Sequence, residues 1–528
     1  MKQAMPLAGC LLLSACLVGP DFHPPAPPPA ISFNHAAAGV SEQMDPAPEW
    51  WRGFHDPVLE QLMRDAVLGN PSLEESLLRV QQAHQNTALE VAQGIPSITA
   101  AGSYAREQEG LKGLAESAGA YNQLDKLATN ANAIAPGIGG AVDNGIKGAI
   151  DSISTPINFF QYELSSSWEL DLFGRVRRSV EAARASEAQA RDAARDSLVM
   201  LESQVAQAYF QLRAAQLALA RQQQIVQAAQ TESQLASSRV ATGMAPAIDE
   251  DQANTALLTA QGQLPTYEKD VAQAMDQLDI LTGQPPGTLD TMLAPPRPLP
   301  DPPAVIGAGV PSTLARRRPD IREAEDSLHE ATAEIGVAVA NFYPDISLTG
   351  SVGYHAFDAA YLTHWANMFY SFGPSISLPI FQGGALIANL RMARIAEANA
   401  ALQYRATVLN ALAEVENALV AYHTDQQTNL DARATVESAQ DNFNLAASRY
   451  AHGLDNFLPT LDAERTLFAD QQQAIQAAAQ VDEDVVTLYT ALGGGWQENA
   501  QTPPVPQVNG APPVAPGALD ALMPTLPR

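Results

Sequence analysis

Cysteine is almost absent from this 528-residue chain: Cys10 and Cys16 are its two examples, both near the N-terminus. Past residue 16 there is no disulfide, no thiol nucleophile and no cysteine metal site. Lysine is nearly as scarce, with five in the whole chain. Lys plus Arg total 30 against 58 Asp plus Glu, a formal net charge of −28. So acidic a surface repels phosphate backbones and excludes nucleic acid as a partner. Beyond the N-terminus no stretch holds 18 consecutive apolar residues, so no transmembrane helix is expected. Any membrane residence must be carried by strands. Catalytic signatures are missing too: no H-E-x-x-H, Walker-type loop or G-x-S-x-G occurs, and the nine histidines have no metal spacing. Pro136-Gly137-Ile138-Gly139-Gly140 is glycine-rich but lacks the strand-to-helix setting of a phosphate cradle. The expectation is a protein that is not an enzyme and holds neither cofactor nor metal. With 46% hydrophobic residues it can still bury a large core.

What is present begins with an export signal over residues 1–15. Met1-Lys2 is followed by a small, apolar run centred on Leu11-Leu12-Leu13. It ends in Leu13-Ser14-Ala15-Cys16, the pattern of a bacterial lipoprotein cleavage site, which makes Cys16 the acylated first residue. The upstream match at Cys10 would leave too short an apolar core. Residues 16–49 contain eight prolines and read as an extended arm leading away from the lipid anchor.

The rest is an internal repeat. Asn70-Pro71-Ser72-Leu73 and Ile95-Pro96-Ser97-Ile98 recur as Arg318-Pro319-Asp320-Ile321 and Tyr343-Pro344-Asp345-Ile346, an offset of 248. Further on, Leu172-Phe173-Gly174 matches Ile380-Phe381-Gln382-Gly383 at 208, and Ser238 to Gly243 matches Ser448 to Gly453 at 210. The offset falls by 40, so the first half carries an insertion of about that size between Tyr104 and Phe159. Its Gly, Ala and Asn content predicts a long surface loop over 105–158, facing the cell exterior.

Each half holds one very long helix. Residues 175–242 and 385–452 are two runs of 68 without a single Gly or Pro, each bracketed by glycine. Such a run is helical by propensity and about 100 Å long. Leu198, Leu201, Val205, Ala208, Leu212, Ala215 and Leu219 alternate steps of three and four, as do Val408, Ala411, Val415, Ala418 and Tyr422. Shorter helices over 71–94, about 247–282, 319–341 and about 460–492 would stack in pairs beside the long ones, with Pro265 kinking the second. Segments 50–70 and 285–318 lie between these elements, and a Pro-rich tail covers 494–528. The Arg316-Arg317-Arg318 run reads as solvated charge ahead of a helix starting at Pro319.

Four strands alternate with the helices. Phe160, Tyr162, Leu164, Trp168, Leu170 and Leu172 share one face, and Gln161, Glu163, Ser165, Ser167, Glu169 and Asp171 the other. Ile346, Leu348, Val352 and Tyr354 alternate with polar residues, as do Tyr370, Phe372, Ile376, Leu378 and Ile380; Ile98 to Tyr104 is a weaker copy. This is the outer-membrane pattern, apolar toward lipid and polar toward a lumen. Four strands cannot close a barrel, since the smallest membrane barrels have eight, and open edges are not tolerated in lipid. Three chains would supply twelve strands.

Several motifs now resemble one family. Cys16-Leu17-Val18-Gly19-Pro20-Asp21-Phe22 looks like its mature N-terminus, and Trp50-Trp51-Arg52-Gly53-Phe54-His55-Asp56-Pro57-Val58-Leu59 like its first equatorial segment. Arg317 to Arg322 followed by Phe342 to Gly350 is similar to its most specific signature. Arg449-Tyr450-x-x-Gly453 with Leu461-Asp462-Ala463-Glu464 resembles its tip motif. In order and spacing, the chain closely resembles the TolC-like outer-membrane factor family, within it the OprM-like and NodT-type lipoproteins of multidrug efflux. That resemblance implies a mixed fold: a homotrimeric 12-stranded outer-membrane β-barrel, a 12-helix periplasmic α-barrel and an equatorial domain. It also implies docking of a periplasmic adaptor and an inner-membrane RND-type transporter.

The functional end should be the tip, at the turns around Gly243 and Gly453, with Arg239, Arg449 and Tyr450 as adaptor-docking candidates. Threefold carboxylates there would narrow a pore electrostatically and favour cations. The resemblance puts one pore-facing aspartate at Asp462. A second family aspartate falls at Pro459, whose first-half counterpart is Asp249; Asp455 is also near. Both Asp249 and Asp462 could instead cap or charge-match helix N-termini. Two function classes follow: a passive export duct for drugs or other small molecules, and a structural or adhesive trimeric coiled coil of the envelope.

Overall fold

The computed structural model describes residues 17–26, 32–35, 39–108, 111–153 and 156–496. Cys16 and the tail from residue 497 lie outside the described residues. The chain divides into two units.

One unit gathers Ala88–Val180 and Ile335–Arg391 with the N-terminal residues up to Pro20. Its centre is a four-stranded antiparallel sheet of β2 (Ser97–Glu107), β3 (Ile157–Glu169), β5 (Asp345–Ala356) and β6 (Met368–Ser377), in that order. Apolar residues stand opposite one another across the ladders: Tyr162 faces Tyr354, Leu164 faces Val352 and Trp168 faces Leu348. Because the side-chain period is two, this register sets the apolar set on one face. Leu164, Val352, Phe372 and Ile376 are exposed, as a lipid-facing surface requires. The strands are shorter than their alternation suggested. Leu170 and Leu172 fall past β3, where Asp171 turns to accept the Arg177 backbone N–H at 2.9 Å at the start of the next helix. Leu378 and Ile380 fall past β6, since Pro379 has no N–H to continue a ladder.

The segment expected as a loop is helical. α3 (Leu111–Ser117), α4 (Ala120–Ile134) and α5 (Ile138–Ile153) fill the space between β2 and β3. Ala, Leu, Gln and Lys supply eight of the fifteen residues of α4, and these are strong helix formers. The glycine count concealed a stripe at steps of four, Ile138, Val142 and Ile146.

The other unit takes Asp21–Thr87, Glu181–Glu334 and the chain from Met392 onward. β1 (Val40–Ser41) pairs in parallel with β4 (Ile306–Gly307), and a 3-10 turn over Trp50–Phe54 leads into α1 (Pro57–Gly69). Asp56 caps α1, accepting from the N–H of Val58 at 2.8 Å, and its other oxygen accepts from buried Tyr209 Oη at 2.5 Å. α2 (Pro71–Gln93) starts on an Asn70 cap. The long helices α6 (Arg175–Ala241) and α11 (Ala385–Ala451) each run for 67 residues. They are partnered in sequence by α7 (Ala247–Leu281) and α12 (Leu458–Ala491). α7 passes through Pro265 as one continuous helix. On α6, Leu201, Val205, Ala208 and Leu212 are buried, and on α11 all of Val408, Ala411, Val415, Ala418 and Tyr422. They join Trp50, Phe54, Phe210 and Tyr489 in one core.

Short helices α8 (Asp290–Leu293) and α9 (Leu314–Arg317) complete the linker before α10 (Pro319–Ala340). Here the arginine run departs from its expected solvation. Arg316 is exposed, but Arg317 donates to the Ala308 carbonyl and to Asp45, and buried Arg318 donates to the Ala491 carbonyl and pairs with Asp320 and Glu414. Buried guanidinium groups survive because carbonyls and carboxylates take their protons.

Candidate functional site

The tip is built twice from one recipe. α6 ends with the Gly243 N–H bonded to the Val240 carbonyl and the Met244 N–H to the Arg239 carbonyl. α11 ends the same way, Gly453 on Tyr450 and Leu454 on Arg449. Both are Schellman turns, which need a left-handed residue after the helix, and Gly243 and Gly453 have φ of 73° and 70°. In such turns the following residue usually packs back on the helix. Met244 and Leu454 instead remain exposed, as do Ile248 and Leu458 one turn later. Both pairs are related by the repeat offset of 210.

Arg239 ties the two hairpins together. Its Nη1 donates to the Tyr450 carbonyl at 3.0 Å, and its guanidinium lies 4.5 Å from the Tyr450 ring centroid. Tyr450 packs with Ala236, Ala253, Phe457 and Leu461 in a small core of its own. Its hydroxyl is buried without a hydrogen-bond partner.

The candidate carboxylates do not behave alike. Asp455 is engaged by Arg449 at 2.5 and 3.3 Å, and that bond holds its carboxyl below the usual range. Asp249 is buried in the first turn of α7, where a negative charge suits the helix dipole. Asp462 is exposed, five residues into α12. Neither is an N-cap, those positions being Pro246 and Phe457.

Other acids escaped the sequence reading because burial leaves no trace in spacing. Glu464 is buried on α12, and desolvation together with the neighbouring Glu232 carboxylate raises its pKa. Farther along α12, burial with Asp301 and Glu483 nearby pushes Asp482 up to about 8. The only signal was three consecutive acids, Asp482, Glu483 and Asp484, on a helix otherwise rich in Ala and Gln.

The N-terminal residues are held as well. The Val18 N–H donates to the Phe173 carbonyl at 3.3 Å, and buried Arg178 donates to the Val18 carbonyl at 3.2 Å. Leu17 lies against Gly174, where β3 gives way to α6.

The outer membrane efflux protein family model matches residues 62–284 and 310–494. The chain belongs to the outer membrane efflux protein family. It is 31% identical over 492 residues to the probable efflux pump outer membrane protein TtgC of Pseudomonas putida, covering 92% of this chain and 94% of that one. It is 31% identical to the outer membrane protein OprJ of Pseudomonas aeruginosa, covering 92% and 95%. The solved outer-membrane channel OprN superposes with a TM-score of 0.78 at 29% identity, covering 92% of this chain and all of that one. This efflux protein therefore has the family's fold, a homotrimeric 12-stranded outer-membrane β-barrel with a periplasmic helical α-barrel and an equatorial domain. It is an outer-membrane efflux channel and not an enzyme.

Proposed function

We propose that this channel is a passive trimeric duct whose acidic periplasmic tip is closed at rest and opens on docking. The cargo, drugs or other small molecules, arrives from an inner-membrane RND-type transporter through a periplasmic adaptor. One observation carries the reading: the Arg239–Tyr450 tether joins the two hairpins of a chain at the tip. A tether of one hydrogen bond and one cation–π contact is weak enough for a partner to displace, on the order of 1–3 kcal/mol. The apolar tip residues Met244, Leu454, Ile248 and Leu458 give that partner something to bury. Cys16 anchors the chain to lipid, and Asp462, with a weaker part for buried Asp249, biases the closed tip toward cations.

A photo-crosslinker at Leu454 tests the docking in cells. The expected product is a covalent adduct with the periplasmic adaptor, weakened by charge at Met244. A tip that yields only self-adducts would overturn docking there.

A further inference from the structure

The insertion between β2 and β3 leaves most of its large aliphatic side chains outside. Where α4 and α5 meet, Lys147 is half-buried over the Tyr121 ring, with Leu124 and Ala128 half-buried as well, and donates to Asp125 at 2.5 Å and to Asp143 at 2.9 Å. The Asn132 side chain accepts from the N–H groups of Gly137 and Gly139 at the turn. Apart from Leu124, the large aliphatic residues whose side chains are described point away: Leu127 is 61% exposed, Ile134 88% and Val142 47%. On α5, Ile138, Val142 and Ile146 follow steps of four, so they form one continuous stripe. A helical hairpin that spends its charges internally and shows its aliphatic residues outward is built to be covered.

The place of the insertion says by what. It leaves from Glu107, the last residue of β2, and β2 is an edge of the four-stranded sheet. An edge strand cannot stay unpaired in lipid, so β2 pairs with the neighbouring chain when the barrel closes. The insertion thus begins at an intersubunit seam. Its end of the hairpin, where Glu107 pairs with Ile157, is opposite the end that joins α2 and α6. With the long helices in the periplasm, that end opens to the exterior.

The dimensions bring the copies together. Twelve strands about 4.8 Å apart and tilted by about 40° close a ring only about 24 Å across. Helices of 15 and 16 residues are about 23 Å long, so three hairpins rising from that ring come within reach of one another. A lipid surface is the poorer match. Interfacial helices carry a lysine- or arginine-rich polar face, whereas residues 111–153 hold three lysines against four acids, and Lys147 is already paired with two of them.

We propose that the three α4–α5 hairpins of the trimer pack on one another through these aliphatic faces and cap the extracellular mouth of the barrel. The occupant of each face is the hairpin of a second copy of this chain. Burying such side chains is favourable, and on an already formed trimer it costs no further association of chains.

Single cysteines in the full-length trimer test this, because the chain past residue 16 has none of its own. Val142→Cys and Leu127→Cys, each made alone, should form disulfide-linked dimers within the trimer under mild oxidation. Asn144→Cys, on the other flank of α5, should stay monomeric on denaturing gels, as should the unsubstituted protein. Trimers are isolated before oxidation, so a variant that fails to assemble is replaced by Ile146→Cys. Dimers formed equally from Asn144→Cys would overturn the proposal. So would an aliphatic-face cysteine that stays uncrosslinked, whether it reacts freely with a hydrophilic maleimide or is shielded from it by lipid.

Discussion

Arg239 and Tyr450, which stand one residue off the repeat register, close on each other, guanidinium over ring, with the Arg239 side chain also bonded to the Tyr450 backbone carbonyl. The contact joins the C-terminal ends of α6 and α11, the two longest helices of the chain. Since it uses the tyrosine ring and carbonyl, and the hydroxyl has no partner, Tyr450→Phe should keep the tether. The same substitution should leave the resting conductance as it is, whereas Tyr450→Ala should raise it.

Cation block follows from the placement of the tip carboxylates. Asp462 is exposed and Asp249 is buried. Polyvalent cations added from the periplasmic side should block conduction, and Asp462→Ala should weaken that block and lower cation selectivity. Asp249→Ala should act more weakly. Unchanged block in the double variant would show that these residues serve only their helices.

Stability should fall as pH rises. Burial lifts the Asp482 carboxyl to about 8, so the folded chain holds that proton more tightly than the unfolded one, whose aspartate titrates near 4. The stabilisation is whole below about pH 4 and is lost as pH climbs through about 8. Melting temperatures measured from pH 5 to 9 should decline, and Asp482→Asn should flatten the decline. Glu464 and Asp484 are raised as well, so part of the slope should remain.

Tyr209→Phe removes the hydrogen bond to Asp56, the residue that caps α1. Loss of one buried bond to a carboxylate should cost about 1–3 kcal/mol. Thermal melts of the purified trimer should show it, with single-channel properties unaltered.

Cys16→Ala should abolish incorporation of a fatty-acid analogue. The trimer should still form, because the barrel inserts on its own and Leu17 to Gly19 are held by the chain. Persistent labelling would move the anchor elsewhere.

Much of this architecture was legible because it rests on simple exclusions. Without Gly or Pro, 175–242 and 385–452 had no means of breaking, and the helices end within a residue of those limits. Alternation located the strands but overran two of them, since Asp171 and Pro379 act through backbone hydrogen bonding and not through hydropathy. Arg317 and Arg318 looked solvated because charge alone does not reveal carbonyls brought from residues 308 and 491. The insertion was misjudged for a like reason, as composition outweighed the periodicity of Ile138, Val142 and Ile146. At the tip the turns could be read from their glycines. The bond from Arg239 to Tyr450 could not, because it spans 211 residues of sequence.

Single-channel recording of the reconstituted trimer, with Arg239→Ala beside the unsubstituted protein, tests the central claim most directly. The unsubstituted channel should be cation-selective and mostly closed without its partner. Releasing the tether should raise its open probability about tenfold, the equivalent of about 1.4 kcal/mol. A trimer that never conducts, or an Arg239→Ala channel with the same open probability as its parent, would contradict a duct held shut at its tip.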